Sequence, residues 1–125
     1  MSKKKLFIIE DDPMFAAMLK DYLQSRPMWE VIHFATGEEA IKNAFLEPRM
    51  VIIDYHLDTE NKNGISGIET MTQIKKLSPH SDCVFLSGQK SYGVALQTIS
   101  HGAQSYIMKD KSSFDEIGKI IDAIA

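Results

Sequence analysis

Five short apolar runs punctuate this chain, at 6–9, 31–34, 50–53, 84–86 and 106–108, and each leads into a longer segment with apolar residues at helical spacing. The first, third and fourth runs carry no polar interruption, the pattern of strands buried on both faces of a parallel sheet. The segment after the first run predicts a helix over 13–24. Asp12 can cap it, Pro13 takes the favoured first position, and Phe15, Met18, Leu19 and Tyr22 form a core-facing stripe. Thr36 caps a second helix, with Glu38 and Glu39 in a first turn where the dipole favours acids. That helix carries Ala40, Ile41, Ala44 and Phe45 until Pro48 stops it. A third helix is expected over 67–77, ending before Pro79, and a fourth over 91–101, ending at Gly102. The fifth starts after Ser112 or Ser113 and carries Phe114, Ile117, Ile120, Ile121 and Ile124.

Five strand–helix units with right-handed crossovers make an open, doubly wound α/β sheet with helices on both faces. The 125 residues suit a single domain, 1–125, with no output domain, and they show no repeat, low-complexity stretch or linker. With 17 acidic against 14 basic side chains and no basic run beyond Lys3–Lys5, a broad nucleic-acid-binding face is excluded. Cys83 is alone, so no internal disulfide forms. No apolar stretch is long enough for a signal sequence or a membrane span, which makes the cytoplasm the expected location. One long irregular segment, 55–66, is polar and follows the third strand directly; loops of that length in compact domains tend to be functional or mobile.

Open parallel sheets place their sites at the carboxyl ends of the strands. Here those ends carry Glu10-Asp11-Asp12, Asp54, Ser87-Gly88 and Lys109. Each has an ordinary explanation alone: Asp12 reads as a helix cap, Asp54 as a turn residue, Ser87 as a cap for the fourth helix and Lys109 as an exposed cation. Their convergence on one sheet edge carries the argument. Crowded carboxylates repel unless a cation neutralises them, and an all-oxygen site with few protein ligands suits Mg²⁺. A carboxylate beside such a metal is a competent nucleophile toward phosphorus, giving an aspartyl phosphate. Lys109, the Ser87 hydroxyl and nearby backbone N–H groups would meet the phosphoryl oxygens, and Gly88 leaves room beside them.

Four segments, Leu6-Phe-Ile-Ile-Glu-Asp-Asp-Pro-Met-Phe15, Val51-Ile-Ile-Asp54, Phe85-Leu-Ser-Gly88 and Gly102-Ala-Gln-Ser-Tyr-Ile-Met-Lys109, resemble the receiver domains of bacterial response regulators across essentially the whole chain. The resemblance implies a flavodoxin-like strand order 2-1-3-4-5 and a two-component phosphorelay role rather than an enzymatic one. It implies Asp54 as phosphoacceptor, with Mg²⁺, or Mn²⁺ as a substitute, held by Asp11, Asp12, Asp54 and the backbone carbonyl of His56. Ser87 and Lys109 would contact the phosphoryl group, with Tyr106 as the aromatic switch partner of Ser87. His56 and Gln89 would flank the site and tune autodephosphorylation. The implied partners are a sensor histidine kinase or histidine phosphotransfer protein upstream and an effector protein or output domain downstream. Homodimerisation through helix four, strand five and helix five is a further implied contact, with neither nucleic acid nor membrane bound directly.

Three departures stand out: Asp58 where the family usually has Pro, in a loop several residues longer than usual before Gly67; Asp110 after the lysine in place of Pro; and Ser87 in place of Thr. Two other classes share parts of the pattern. Haloacid-dehalogenase-type phosphatases need a second Asp two positions after the first, where this chain has His56. A flavodoxin-like FMN module needs a phosphate loop after strand one, where Asp11-Asp12-Pro13 stands. A degenerate receiver serving only as an interaction module is the remaining alternative. His33, His80 and His101 show no ligand spacing and read as surface or structural residues. The Met residues read as core fillers, Trp29 as a packing or turn residue near the second strand, and Cys83 as a small buried hydrophobe.

Overall fold

The computed structural model describes residues 3–57, 65–88 and 92–124. The chain runs β1 Lys4–Ile9, α1 Pro13–Leu23, β2 Trp29–Phe34, α2 Gly37–Lys42, a 3-10 turn Ala44–Leu46, β3 Met50–Asp54, α3 Gly67–Leu77, β4 Asp82–Ser87, α4 Tyr92–Ser100, β5 Ser105–Met108 and α5 Ser113–Ala123. All strand pairs are parallel, in the order β2-β1-β3-β4-β5. The doubly wound sheet read from the apolar runs is therefore present.

The uninterrupted runs have a simple cause. In β1, Phe7 and Ile9 join one core with Val51, Ile53, Phe85, Met71 and Ile74, while Leu6 and Ile8 join another with Leu19, Leu23, Ile52, Ile117 and Ile121. Successive strand side chains point to opposite faces, so a strand covered on both faces has no polar position to offer. Each fully buried Ile or Leu contributes about 1.5–3 kcal/mol. Gly102 ends the fourth helix at φ 111°, a left-handed conformation that residues with a Cβ adopt only under strain.

Three expectations are corrected. Met18 is exposed; the buried face of α1 is Ala16, Leu19 and Leu23, one step round the helix from the stripe expected. The second helix stops at Lys42 and tightens into the 3-10 turn, which swings Phe45 outward to 72% exposure. Among the methionines, Met50 and Met71 are core, but Met14, Met18 and Met28 are more than half exposed. Trp29 opens β2 as a buried residue.

Cys83 is fully buried within β4, and burial pushes its thiol up to about 12. The thiolate is the reactive form, so Cys83 should ignore a thiol reagent in native buffer and react fully in denaturing urea. Rapid native labelling would show that β4 opens.

Helix α5 is clasped to α1. The Tyr22 hydroxyl donates to Asp115 Oδ1 at 3.0 Å, Arg26 Nε donates to Asp122 Oδ1 at 2.9 Å, and the Phe15 and Phe114 rings meet edge to face at 5.6 Å. Exposed pairs of this kind add little stability. Their consequence is positional: α1 and α5 lie side by side over the same core, with Leu19, Leu23, Ile117 and Ile121 beneath them.

Candidate functional site

The site forms where β1, β3, β4 and β5 end. Beyond β1 lie three acids with three different fates. Glu10 is almost fully buried, whereas Asp11 and Asp12 are exposed. Asp12 is the N-cap of α1, its Oδ1 accepting from the N–H groups of Met14 (3.0 Å) and Phe15 (3.3 Å) with Pro13 at the first helical position. Capping satisfies two donors that the first turn leaves without helical partners.

At the end of β3, the Asp54 carboxylate is 5% exposed. Its Oδ1 accepts from the His56 N–H at 3.1 Å, and its Oδ2 lies 3.6 Å from Lys109 Nζ. The chain can turn tightly here because Gly67 opens α3 against it: a Cβ at Gly67 would stand 2.9 Å from the Asp54 carbonyl oxygen and 2.9 Å from the Phe85 ring. Lys109 follows β5, tied by its N–H to the Ser87 carbonyl at 2.8 Å. Its ammonium reaches Glu10 Oε1 at 2.6 Å and lies 4.6 Å over the Phe15 ring. Ser87, fully buried, ends β4 opposite Met108.

Carboxylate oxygens of Glu10, Asp11 and Asp54 lie within 4.8 Å of one another. Burial first, and then this crowding, bears on the protonation of these groups. Burial pushes the Glu10 carboxyl up to about 8, reinforced by Asp54 and opposed by Lys109. Burial also raises Asp11, Glu10 pulls it back and Asp54 adds to the rise. For Lys109, burial works to lower the ammonium, but Glu10 and Asp54 outweigh it and leave it above its usual range. A divalent cation among these oxygens would relieve the repulsion, and an all-oxygen donor set is what Mg²⁺ takes. The residues present fit such an ion.

The expected acidic pair is therefore shifted by one residue. Asp11 and Asp54 sit in the cluster as expected, but the third carboxylate is Glu10, and Asp12 faces its own helix. A signal for this exists in the sequence. An acid directly before a helix-opening proline is claimed by capping, which leaves the two acids before it for other work. Tyr106 is half-buried on β5, with its ring 6.5 Å from that of Tyr55 and nearly perpendicular to it. Gln89 and Asp58 lie outside the described residues. The Lys109–Asp110 bond is trans, as no cis peptide occurs among the described residues. His33, read as a surface or structural residue, has a ring nitrogen 2.8 Å from the Glu10 carbonyl oxygen.

A family model for the response regulator receiver domain matches residues 6–122. The chain belongs to that family. As a receiver domain it is a two-component signalling domain; such domains bind Mg²⁺ at an acidic pocket, and this chain has an acidic cluster of the kind that can hold a metal. It is 30% identical over 122 residues to the response regulator protein VraR of Staphylococcus aureus, an alignment covering 96% of this chain and 54% of VraR. The chain thus spans about half the length of the curated relatives it matches. Among solved structures, it superposes on the receiver domain of a Luxo repressor protein from Vibrio parahaemolyticus with a TM-score of 0.83 at 21% identity, covering 96% of this chain and 88% of that one. A receiver domain from Methanospirillum hungatei gives a TM-score of 0.81 at 25% identity, covering 97% and 93%. Among the described residues, no helix is long and apolar enough to cross a membrane.

Proposed function

We propose that this receiver takes a phosphoryl group on Asp54 from a histidine kinase or histidine phosphotransfer protein and passes the signal to a partner protein or output domain. The observation that carries the reading is the position of the Asp54 carboxylate, within a carboxylate cluster suited to a divalent cation and 3.6 Å from the Lys109 ammonium. Glu10, Asp11 and Asp54, with the main-chain carbonyl of His56, would hold Mg²⁺ or Mn²⁺. The bound ion supplies a positive clamp on the phosphoryl oxygens. An Asp54 oxygen forms the new O–P bond while the donor's P–N bond breaks and its electron pair leaves on the imidazole. Lys109, already held by Glu10 and drawn toward Asp54, neutralises a phosphoryl oxygen without first having to be ordered. The buried Ser87 hydroxyl would donate to another.

Tyr106 lies beside Ser87's strand and against Tyr55, so turning of the Ser87 side chain would repack that ring. The change would spread to the face made by α4, β5 and α5. Tyr92, Leu96 and Ile99 recur there at i, i+4 and i+7 on α4 as exposed apolar groups available to a partner or a second copy. His56 and Gln89 would set how readily water reaches the acyl phosphate.

The test is intact mass after incubation with acetyl phosphate and Mg²⁺. The expected product carries one added phosphoryl group, and chelation of the metal prevents its formation. No adduct from any donor would overturn the reading in favour of an interaction module without phosphoryl chemistry.

A further inference from the structure

Glu10 is held from four directions. Its Oε1 meets Lys109 and its Oε2 accepts from the Asp12 N–H at 3.2 Å. Its own N–H donates to the Phe34 carbonyl at 3.1 Å, and its carbonyl lies 2.8 Å from His33 Nε2. The last two attachments both come from β2. The β1–β2 register ends at Ile9 opposite Phe34, so Glu10 lies one residue past the paired strands, where the chain must turn toward α1. Ile32 and Phe34 face the core under α2 and α3, and strand alternation sends His33 to the opposite face, the side of α1. From there its ring reaches across to the Glu10 carbonyl. A carbonyl can only accept, so the proton of this contact resides on Nε2.

We propose that His33 is a positioning residue for the metal site, fixing the Glu10 main chain and hence the directions in which Glu10 and Asp11 present their carboxylates. The proposal rests on the metal-binding reading above. Groups that orient ligands matter because a hard cation tolerates little displacement of its donors. Without the ring's N–H, the hold on the turn is through the Glu10 side chain and a single main-chain anchor, the Glu10 N–H bond to the Phe34 carbonyl. The turn carrying both acids can then rotate about that anchor.

Two variants and one spectrum test this. His33→Leu removes the donor at similar bulk, and His33→Gln keeps an N–H donor on a flexible stem. Mg²⁺ titration calorimetry on the folded proteins should show about tenfold weaker binding for His33→Leu, the lower end of what loss of an orienting partner produces, because His33 acts through the main chain. His33→Gln should recover most of that loss. In metal-free wild type, the His33 ring ¹⁵N signals should show a protonated Nε2. Mg²⁺ affinity for His33→Leu within about twofold of wild type would overturn the proposal, as an orienting partner cannot be lost without effect. A ring protonated on Nδ1 alone would overturn it too, and that measurement stands even if His33→Leu fails to fold. Wild type that binds no Mg²⁺ would instead remove the metal-binding reading, and this proposal with it.

Discussion

Asp54→Asn acquires no phosphoryl group from acetyl phosphate and Mg²⁺, Asp11→Asn acquires it only at much higher metal concentration, and Asp12→Ala behaves nearly as wild type. This graded series is expected because the three neighbouring acids do different things. An amide at position 54 cannot act as the nucleophile, so the adduct disappears outright. An amide at position 11 removes one negative donor from a cluster whose carboxylates lie within 4.8 Å, and ligand charge sets the affinity for a hard cation. At least about tenfold weaker Mg²⁺ binding follows, equivalent to about 1.4 kcal/mol. Asp12 is exposed and engaged with the first turn of α1, so its charge acts on the metal only through water, within about threefold. Its loss appears in stability instead. Asp12→Ala should lower the unfolding free energy by about 1 kcal/mol, and Asp12→Asn, an equally good cap, should restore it. Intact mass, calorimetry and urea denaturation separate these effects. Equal losses of Mg²⁺ affinity in Asp11→Asn and Asp12→Ala would return Asp12 to the metal site.

Gly67→Ala should destabilise the fold by about 1–3 kcal/mol, the usual range for forcing a methyl into a filled space. The new Cβ would lie 2.9 Å from both the Asp54 carbonyl oxygen and the Phe85 ring. The first is backbone at the end of a fully buried strand, and the second belongs to a fully buried side chain, so neither can swing away. Relief requires α3 to back off, which loosens the turn that presents Asp54 and should also slow phosphoryl uptake. Gly118→Ala is the control. Its Cβ would approach within 2.6 Å of Arg26 Nη2, the far end of a long side chain that can give up its pairing with the exposed Asp122 carboxylate to make room. A mid-helix alanine gains about 0.5–1 kcal/mol over glycine, so this variant should stay within about 1 kcal/mol of wild type. Midpoints of urea unfolding compare the two, and a Gly67→Ala protein as stable as Gly118→Ala would refute the contact.

What was legible in the chain follows from how local each feature is. The three central strands stood out because burial on both faces leaves only apolar residues, and each of the five observed strands extends the expected run by at most two residues at an end. The cap at Asp12, the stop at Gly102 and the positions of Asp54 and Lys109 at strand ends were likewise written in a few consecutive residues. The expected stripe of α1 failed at Met18 because periodicity marks a broad face, whereas contact with the sheet selects its centre, at Leu19 and Leu23.

The acids after β1 divide along the same line. The sequence by itself determined that Glu10, Asp11 and Asp12 stand at a strand end beside a helix start, facing the same edge as Asp54 and Lys109. Only the tertiary structure decided which of them face Asp54. That choice depends on Asp12 turning back to its own helix, on Lys109 arriving from β5 to hold Glu10, and on His33 reaching over from β2. The last two contacts join segments more than twenty residues apart, and no local pattern records a distance that exists only once the strands lie side by side.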